Sequence, residues 1–243
     1  MRALLLAAGF GTRLRPLTHR TPKCLVPIHG QPLLGIWLEQ LHQAGITRCL
    51  INTHYLADQV EAFVASHSLR EGVTLVHEAQ LRGTAGTLLA NLAHFQGEDG
   101  LLIHADNYCR LDLSNFVRAH RSRPAGCEMT MMTFRTDSPQ SCGIVSVDLQ
   151  GVVTGFHEKV AQPPGNLANG AVYLLSPRLL DAIGKEFRDA KDFSTEVIHR
   201  LIGQIYTFEV SMPFLDIGMP ETYLLAQEYE RAYQRLQAKC SLD

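Results

Sequence analysis

Few of the marks that place a chain in a special class are present in this sequence. Its six cysteines (Cys24, Cys49, Cys109, Cys127, Cys142, Cys240) are scattered and form no C-x-x-C pair. That excludes a cysteine zinc site and a disulfide framework. No stretch approaches the roughly 18 consecutive apolar residues of a membrane span. The N-terminal apolar run is too short for a signal peptide, and its positive charges follow it rather than precede it. A basic surplus is missing as well: the formal net charge is −2, which argues against a nucleic-acid partner. No internal repeat, low-complexity segment or linker interrupts the chain. At 243 residues, 46% hydrophobic and 19% charged, it is expected to be cytoplasmic and to bury a substantial core in one domain.

What is present concentrates at the start. Met1-Arg-Ala-Leu-Leu-Leu-Ala-Ala-Gly-Phe-Gly-Thr-Arg-Leu-Arg-Pro-Leu-Thr18 joins a short apolar run, Ala3 to Ala8, to a glycine-rich loop. Such a run reads as a buried strand. Glycines let successive backbone N–H groups converge on an anion without a β-carbon in the way. Arg13 then adds a planar fork of donors suited to phosphate oxygens. A dinucleotide fingerprint is excluded because Leu14 stands where its third glycine belongs, and the P-loop spacing is absent. Taken alone, the loop is equally well a tight surface turn with exposed arginines.

The rest of the chain alternates. Thr21 to Ile28 is expected to be extended around Pro22 and Pro27. Helix follows from Leu33 to Ala44, strand from Arg48 to Asn52, helix from Leu56 to Ser66 and strand from Val73 to Val76. Gly83 introduces a helix to about Leu92, and Leu101 to Ala105 is another buried strand with Asp106 and Asn107 at its carboxyl end. This β-α alternation predicts a mostly parallel sheet flanked by helices, with ligands at the carboxyl edge. Beyond Cys127 the rhythm becomes antiparallel, through strands Gly143 to Val147 and Val152 to Phe156. Ser176-Pro177 opens a helix, Ser194 or Asp192 caps another through Leu201, and Pro220 begins a last one to about Lys239. His104, inside an apolar strand, reads as a satisfied core histidine.

These motifs together resemble the sugar-1-phosphate nucleotidyltransferases. The pattern L-x-A-G-x-G-T-R-L-x-P-L-T is whole at Leu6 to Thr18, and P-K stands at Pro22-Lys23. Gly83-Thr-Ala-Gly86, Asp106-Asn107, Phe156-His-Glu-Lys159, Asn169-Gly170 and Asp216-Ile-Gly-Met-Pro-Glu221 follow in order. The resemblance implies a single Rossmann-like α/β domain of the GT-A type, 1–243, that joins a nucleoside triphosphate to a sugar 1-phosphate. It implies Mg²⁺ on Asp106 and Asp216, with Arg13, Lys23 and Asp106 catalytic. The nucleotide is expected on Leu6, Ala8, Gly9, Gly11, Thr12, Arg13, Glu78, Gly83 and Thr84. The sugar phosphate is expected on Asn107, Gly143, Glu158, Lys159 and Asn169. Cys24 and Val160 replace prolines usual after each family lysine, and Cys142 a tyrosine, so the sugar pocket is where this chain should differ.

Counting back from Gly83 puts the base-reading position at Glu78. An ionised carboxylate only accepts hydrogen bonds, which matches the two adjacent N–H donors of guanine better than uracil or thymine. With the Gly-Thr-Ala-Gly and Thr-Pro-Lys forms, this tilts the reading to GTP and a mannose-type phosphate. Uridylyl, thymidylyl or cytidylyl transfer and a non-catalytic sugar-nucleotide-binding subunit are the alternatives. No C-terminal β-helix repeat is expected. Tyr223, Ala226, Tyr229 and Tyr233 could face a second copy in a homo-oligomer, with packing on the parent domain the commoner explanation.

Overall fold

In the computed structural model, which describes residues 1–240, the opening apolar run forms strand β1 (Arg2–Leu6). Its side chains alternate between two cores: Ala3 and Leu5 pack with Trp37, while Leu4 packs with Leu88 and Phe95. A strand covered on both faces has no polar side, which is why the run reads as continuous rather than alternating.

A small hairpin, β2 (Pro27–Ile28) and β3 (Gln31–Pro32), leads into helix α1 (Leu33–Gln43). Then come β4 (Cys49–Thr53), α2 (Ala57–Ser66), β5 (Val73–His77), α3 (Gly83–Ala90), β6 (Gly100–His104), β7 (Asn107–Cys109) and α4 (Leu113–Arg121). The second half holds β8 (Met129–Arg135), β9 (Gly143–Val147), β10 (Val153–Glu158), β11 (Leu167–Leu175) and α5 (Pro177–Glu186). It closes with β12 (Ile205–Glu209), β13 (Phe214–Asp216) and α6 (Pro220–Cys240).

The main sheet runs β10-β9-β11-β6-β1-β4-β5, with β8 paired to β11 and β12 to β8. Strands β6, β1, β4 and β5 are mutually parallel, and β11 joins β6 antiparallel. The expected mostly parallel sheet with an antiparallel second half is what forms, and β12 adds a parallel edge beside β8. Register decides where the site lies. Leu6 of β1 is level with Asn52 of β4 and with His104 of β6, so three carboxyl ends meet in one row.

Two local expectations change. Lys23–Leu25 close a 3₁₀ turn instead of running extended, because the Leu25 N–H turns back onto the Pro22 carbonyl at 2.8 Å. The helix expected through Leu201 is a π turn, Phe193–Val197, followed by a 3₁₀ turn, Ile198–Leu201. Asp192 caps it by accepting from the Thr195 N–H at 2.8 Å. Ser176 caps α5 as expected, accepting from the Leu179 N–H at 3.0 Å.

Helix α6 is docked by a buried charge. Glu230, 0% exposed, accepts from Arg110 Nε at 2.8 Å, Tyr108 Oη at 3.0 Å and Gln234 Nε2 at 3.0 Å. Arg110 also lies over the Tyr233 ring, and Tyr223 Oη donates to the Pro27 carbonyl. Tyr223, Ala226 and Tyr233 therefore pack on their own domain, and Tyr229 is the more exposed of the four. Among the described residues, no helix is long and apolar enough to cross a membrane.

Candidate active site

The glycine loop springs from the carboxyl end of β1 and curls back over Lys23. Gly11 has φ +60°, and a β-carbon there would stand 3.0 Å from Thr18 Cγ2 and 3.1 Å from Lys23 Cβ. The turn is closed by Thr18 Oγ1, which donates to the Gly11 carbonyl at 2.7 Å, and by the Leu14 N–H at 3.0 Å.

Lys23 is buried, and its ammonium reaches both expected metal ligands. Nζ donates to Asp106 Oδ2 at 3.0 Å and to Asp216 Oδ1 at 2.8 Å. Arg13 Nη2 donates to the other oxygen of Asp216 at 3.0 Å. Burial would raise the Asp216 carboxyl, but Lys23 and then Arg13 hold it below the ordinary carboxylate range. The two aspartates are distant in sequence: Asp106 sits in the turn between β6 and β7, and Asp216 ends β13. They are joined because Asp216 pairs in register with Asn107, the residue after Asp106.

Beside this cluster is a cavity of about 320 Å³. Every expected nucleotide residue lines it (Leu6, Ala8, Gly9, Gly11, Thr12, Arg13, Glu78, Gly83 and Thr84), together with Lys23 and Asp106. Cys24 is also on the wall. Desolvation, then the Asp106 charge, push its thiol up to about 12, so it is present as the thiol.

The expected sugar-phosphate residues lie outside that wall. Gly143 and Glu158 face each other across β9 and β10, and a β-carbon on Gly143 would sit 2.6 Å from Glu158 Oε2. Lys159 is exposed, in the left-handed region at φ +50°, with Nζ 3.5 Å from Glu158 Oε1. Asn169 Nδ2 donates to Tyr173 Oη at 2.7 Å, at an irregularity of β11. Asn107 is buried, and its carbonyl accepts from the Trp37 indole at 2.9 Å.

A family model, described as Nucleotidyl transferase, matches residues 2–232. The chain belongs to that family. A probable mannose-1-phosphate guanylyltransferase 2 of Oryza sativa subsp. japonica is 31% identical over 235 residues, 92% of this chain and 63% of that protein. A mannose-1-phosphate guanylyltransferase catalytic subunit beta of Drosophila melanogaster is 31% identical over 228 residues, 92% of this chain and 61% of that one. The chain thus spans about three fifths of the length of the curated relatives it matches. Among solved structures, HddC from Yersinia pseudotuberculosis complexed with GMP-PN aligns with TM-score 0.77 at 26% identity, covering 93% of this chain and 98% of that one. A putative glucose-1-phosphate thymidylyltransferase from Bacillus anthracis aligns with TM-score 0.79 at 21% identity, covering 94% of each chain, and shares the fold.

Asn52, Thr87 and His104 are among the cavity residues absent from the sequence-based set. Asn52 carries a readable signal, a polar residue closing an apolar strand, as Asp106 nearly does. His104 is not a satisfied core histidine. Burial lowers its pKa against the pull of Asp106, and its buried Nε2 has no partner among the described residues.

Gly83 lines the cavity, and a second constraint acts on it. At φ +77°, a β-carbon would lie 2.4 Å from the Lys191 carbonyl oxygen, which also accepts from the Ala85 N–H. Gly83→Ala is expected to cost about 1–3 kcal/mol from strain alone. A thermal melt should show this as a Tm lowered by several degrees, whatever the nucleotide present.

Proposed function

We propose that the chain catalyses nucleotidyl transfer: a nucleoside triphosphate and a sugar 1-phosphate give a nucleoside-diphosphate sugar and pyrophosphate. The substrate pair is GTP with mannose 1-phosphate or a related manno-configured phosphate. The observation that carries this reading is the convergence of the glycine loop, Arg13, Lys23, Asp106 and Asp216 at one end of a cavity with Glu78 on its wall.

A sugar-phosphate oxygen attacks the α-phosphorus in line, the bond to the β-phosphate oxygen breaks, and pyrophosphate leaves with the electron pair. Such a reaction needs positioning and charge neutralisation more than covalent help. Backbone N–H groups of Gly9 to Thr12 cradle the phosphates, and Arg13 and Lys23 stabilise the charge growing on pyrophosphate. On β9–β11, Glu158 and Asn169 bond sugar hydroxyls and Lys159 holds the sugar phosphate, with Gly143 opposite Glu158, and Asn107 contributes from β7.

The family generally uses a divalent metal. The donor set here fits Mg²⁺: two carboxylates, Asp106 and Asp216, close enough to share one ammonium, and no cluster of three or more acidic, histidine or cysteine ligands among the described residues. Mg²⁺ favours one or two carboxylates with phosphate and water oxygens completing its shell. Bound to these aspartates, it would neutralise and orient the triphosphate.

Four nucleotides tested against several sugar 1-phosphates, with pyrophosphate release as the signal, check the reading. Highest kcat/KM with GTP and mannose 1-phosphate is expected. Turnover of UTP or dTTP but not GTP overturns the base assignment and leaves the reaction class standing. Glu78→Gln, which turns one acceptor into a donor, should shift the nucleotide preference without abolishing turnover.

A further inference from the structure

Glu78 is only 3% exposed, yet it lines the cavity, and its carboxylate is held by a one-way chain of hydrogen bonds. The chain starts at the end of β1, where the Ala7 N–H donates to Asn52 Oδ1 at 2.8 Å. That contact fixes which end of the amide faces which way, because a backbone N–H needs an acceptor. Asn52 Nδ2 is thereby aimed at Thr87 Oγ1, 3.3 Å away. With its lone pair engaged, the Thr87 hydroxyl has one proton to give, and it donates to Glu78 Oε1 at 2.6 Å. The other oxygen, Oε2, accepts from the Arg82 N–H at 3.2 Å. Every donor points toward the carboxylate, so both oxygens of Glu78 act as acceptors. Asn52 and Thr87 are themselves 3% and 2% exposed, which keeps water from substituting for either.

The main chain of Glu78 is pinned too. Its N–H donates to the Thr53 carbonyl at 2.8 Å, and its carbonyl lies 2.7 Å from His54 Nδ1, which must therefore carry the proton. A carboxylate has about four acceptor sites; Thr87 and Arg82 take two. The remaining two are available side by side to a ligand with adjacent N–H donors.

We propose that Thr87 is a positioning and specificity-determining residue: it orients Glu78 to accept both N–H donors of a guanine edge, with Asn52 holding it to the strand that bears the phosphate loop. This deepens the GTP reading above and rests on it. The linkage sets the base-reading carboxylate at a fixed place relative to Ala7, the residue from which the phosphate-binding loop departs. Phosphate and base are thus gauged against one frame spanning β1, β4 and α3.

Inosine triphosphate tests this, because it keeps the ring N–H and lacks the 2-amino donor. The wild-type chain is expected to prefer GTP over ITP by about tenfold or more in kcat/KM, the size of one hydrogen bond to a charged group. Thr87→Val keeps the shape and removes the hydroxyl. It should raise the KM for GTP about tenfold, change kcat much less, and bring the GTP:ITP ratio toward one. Thr87→Ser, which restores the hydroxyl, should return the ratio toward wild type, and a merely structural role would not produce that rescue. If Thr87→Val fails to fold, Thr87→Ala is read by the same ratio.

An unchanged ratio in these variants, in an enzyme whose ratio does respond to Glu78→Gln, overturns the role of Thr87 and leaves the base assignment intact. A wild-type chain with no GTP preference overturns both, and the two failures are told apart by the wild-type measurement alone.

Discussion

Asp106→Ala is expected to lower pyrophosphate release by about 10³-fold, the scale set by losing one charge-organising group at a transition state. The Tm should stay near that of the parent chain. Asp106 is about 42% exposed at its side chain, and its one ion pair among the described residues is to Lys23, which keeps Asp216 as a second partner at 2.8 Å. Little folding energy is therefore at stake. Catalysis is another matter, since one of the two carboxylates proposed to hold the metal disappears while Lys23 shifts its attachment wholly to the other. Asp106→Asn separates charge from shape, and a similar loss is expected because a neutral amide is a poor ligand for Mg²⁺. A chelator should silence the wild-type chain and added Mg²⁺ should revive it. Equal inertness of wild type and Asp106→Ala over the whole nucleotide and sugar-phosphate panel would mark a binding protein instead.

The second large effect concerns stability. Glu230→Ala is expected to cost about 3–5 kcal/mol, the penalty for leaving a buried charge without its counterion. Arg110 would lose its close partner: its side chain is about 7% exposed, it meets Glu230 through two nitrogens, and it would keep only the more distant Glu39 carboxylate, 3.9 Å from Nη1, among the described residues. Tyr108 and Gln234 would lose an acceptor at the same time. Urea unfolding of the single variant checks the magnitude. The pair Glu230→Leu with Arg110→Met should cost clearly less than the sum of the singles, because no uncompensated charge remains. The effect should reach activity as well. Tyr108 and Arg110 belong to or adjoin β7, whose partner β13 carries Asp216. Loosening α6 therefore disturbs one of the two aspartates from a distance.

Much of this was readable because the relevant signals are local. The run Ala3 to Ala8 is a strand for lack of any polar face, Gly45 stops α1 at φ +72°, and Ser176-Pro177 starts α5 by supplying an acceptor and a preset φ. The glycine loop was legible alone only as a tight turn able to cradle an anion, and the motifs that follow it in order carried the phosphate reading. Two readings failed for tertiary reasons, at Lys23 and His104, and a third residue offered nothing to read. The segment at Lys23 was expected to be extended because prolines flank it, yet it turns so that its ammonium can reach two carboxylates that come from much later in the chain. His104 reads as an ordinary core residue, because nothing in Leu-Leu-Ile-His reveals that its strand ends at a cavity. Thr87 carried no signal: a threonine in a short helix becomes informative only once Glu78 is known to lie opposite it.

The amino-acid sequence alone determined the class of this protein: the order of strands and helices, the glycine loop after β1, and the charged residues that the proposed phosphoryl-type transfer requires. Those properties depend on residues near one another in the chain, where periodicity and turn chemistry speak directly. Only the tertiary structure decided which residues act together. Strand register levels Leu6 with Asn52 and His104, the β7–β13 pairing brings Asp216 to Asp106, and the packing of α3 over β4 points Thr87 at Glu78. Each is a meeting of segments far apart in sequence, set by how the sheet buries its two faces, and no local pattern encodes it.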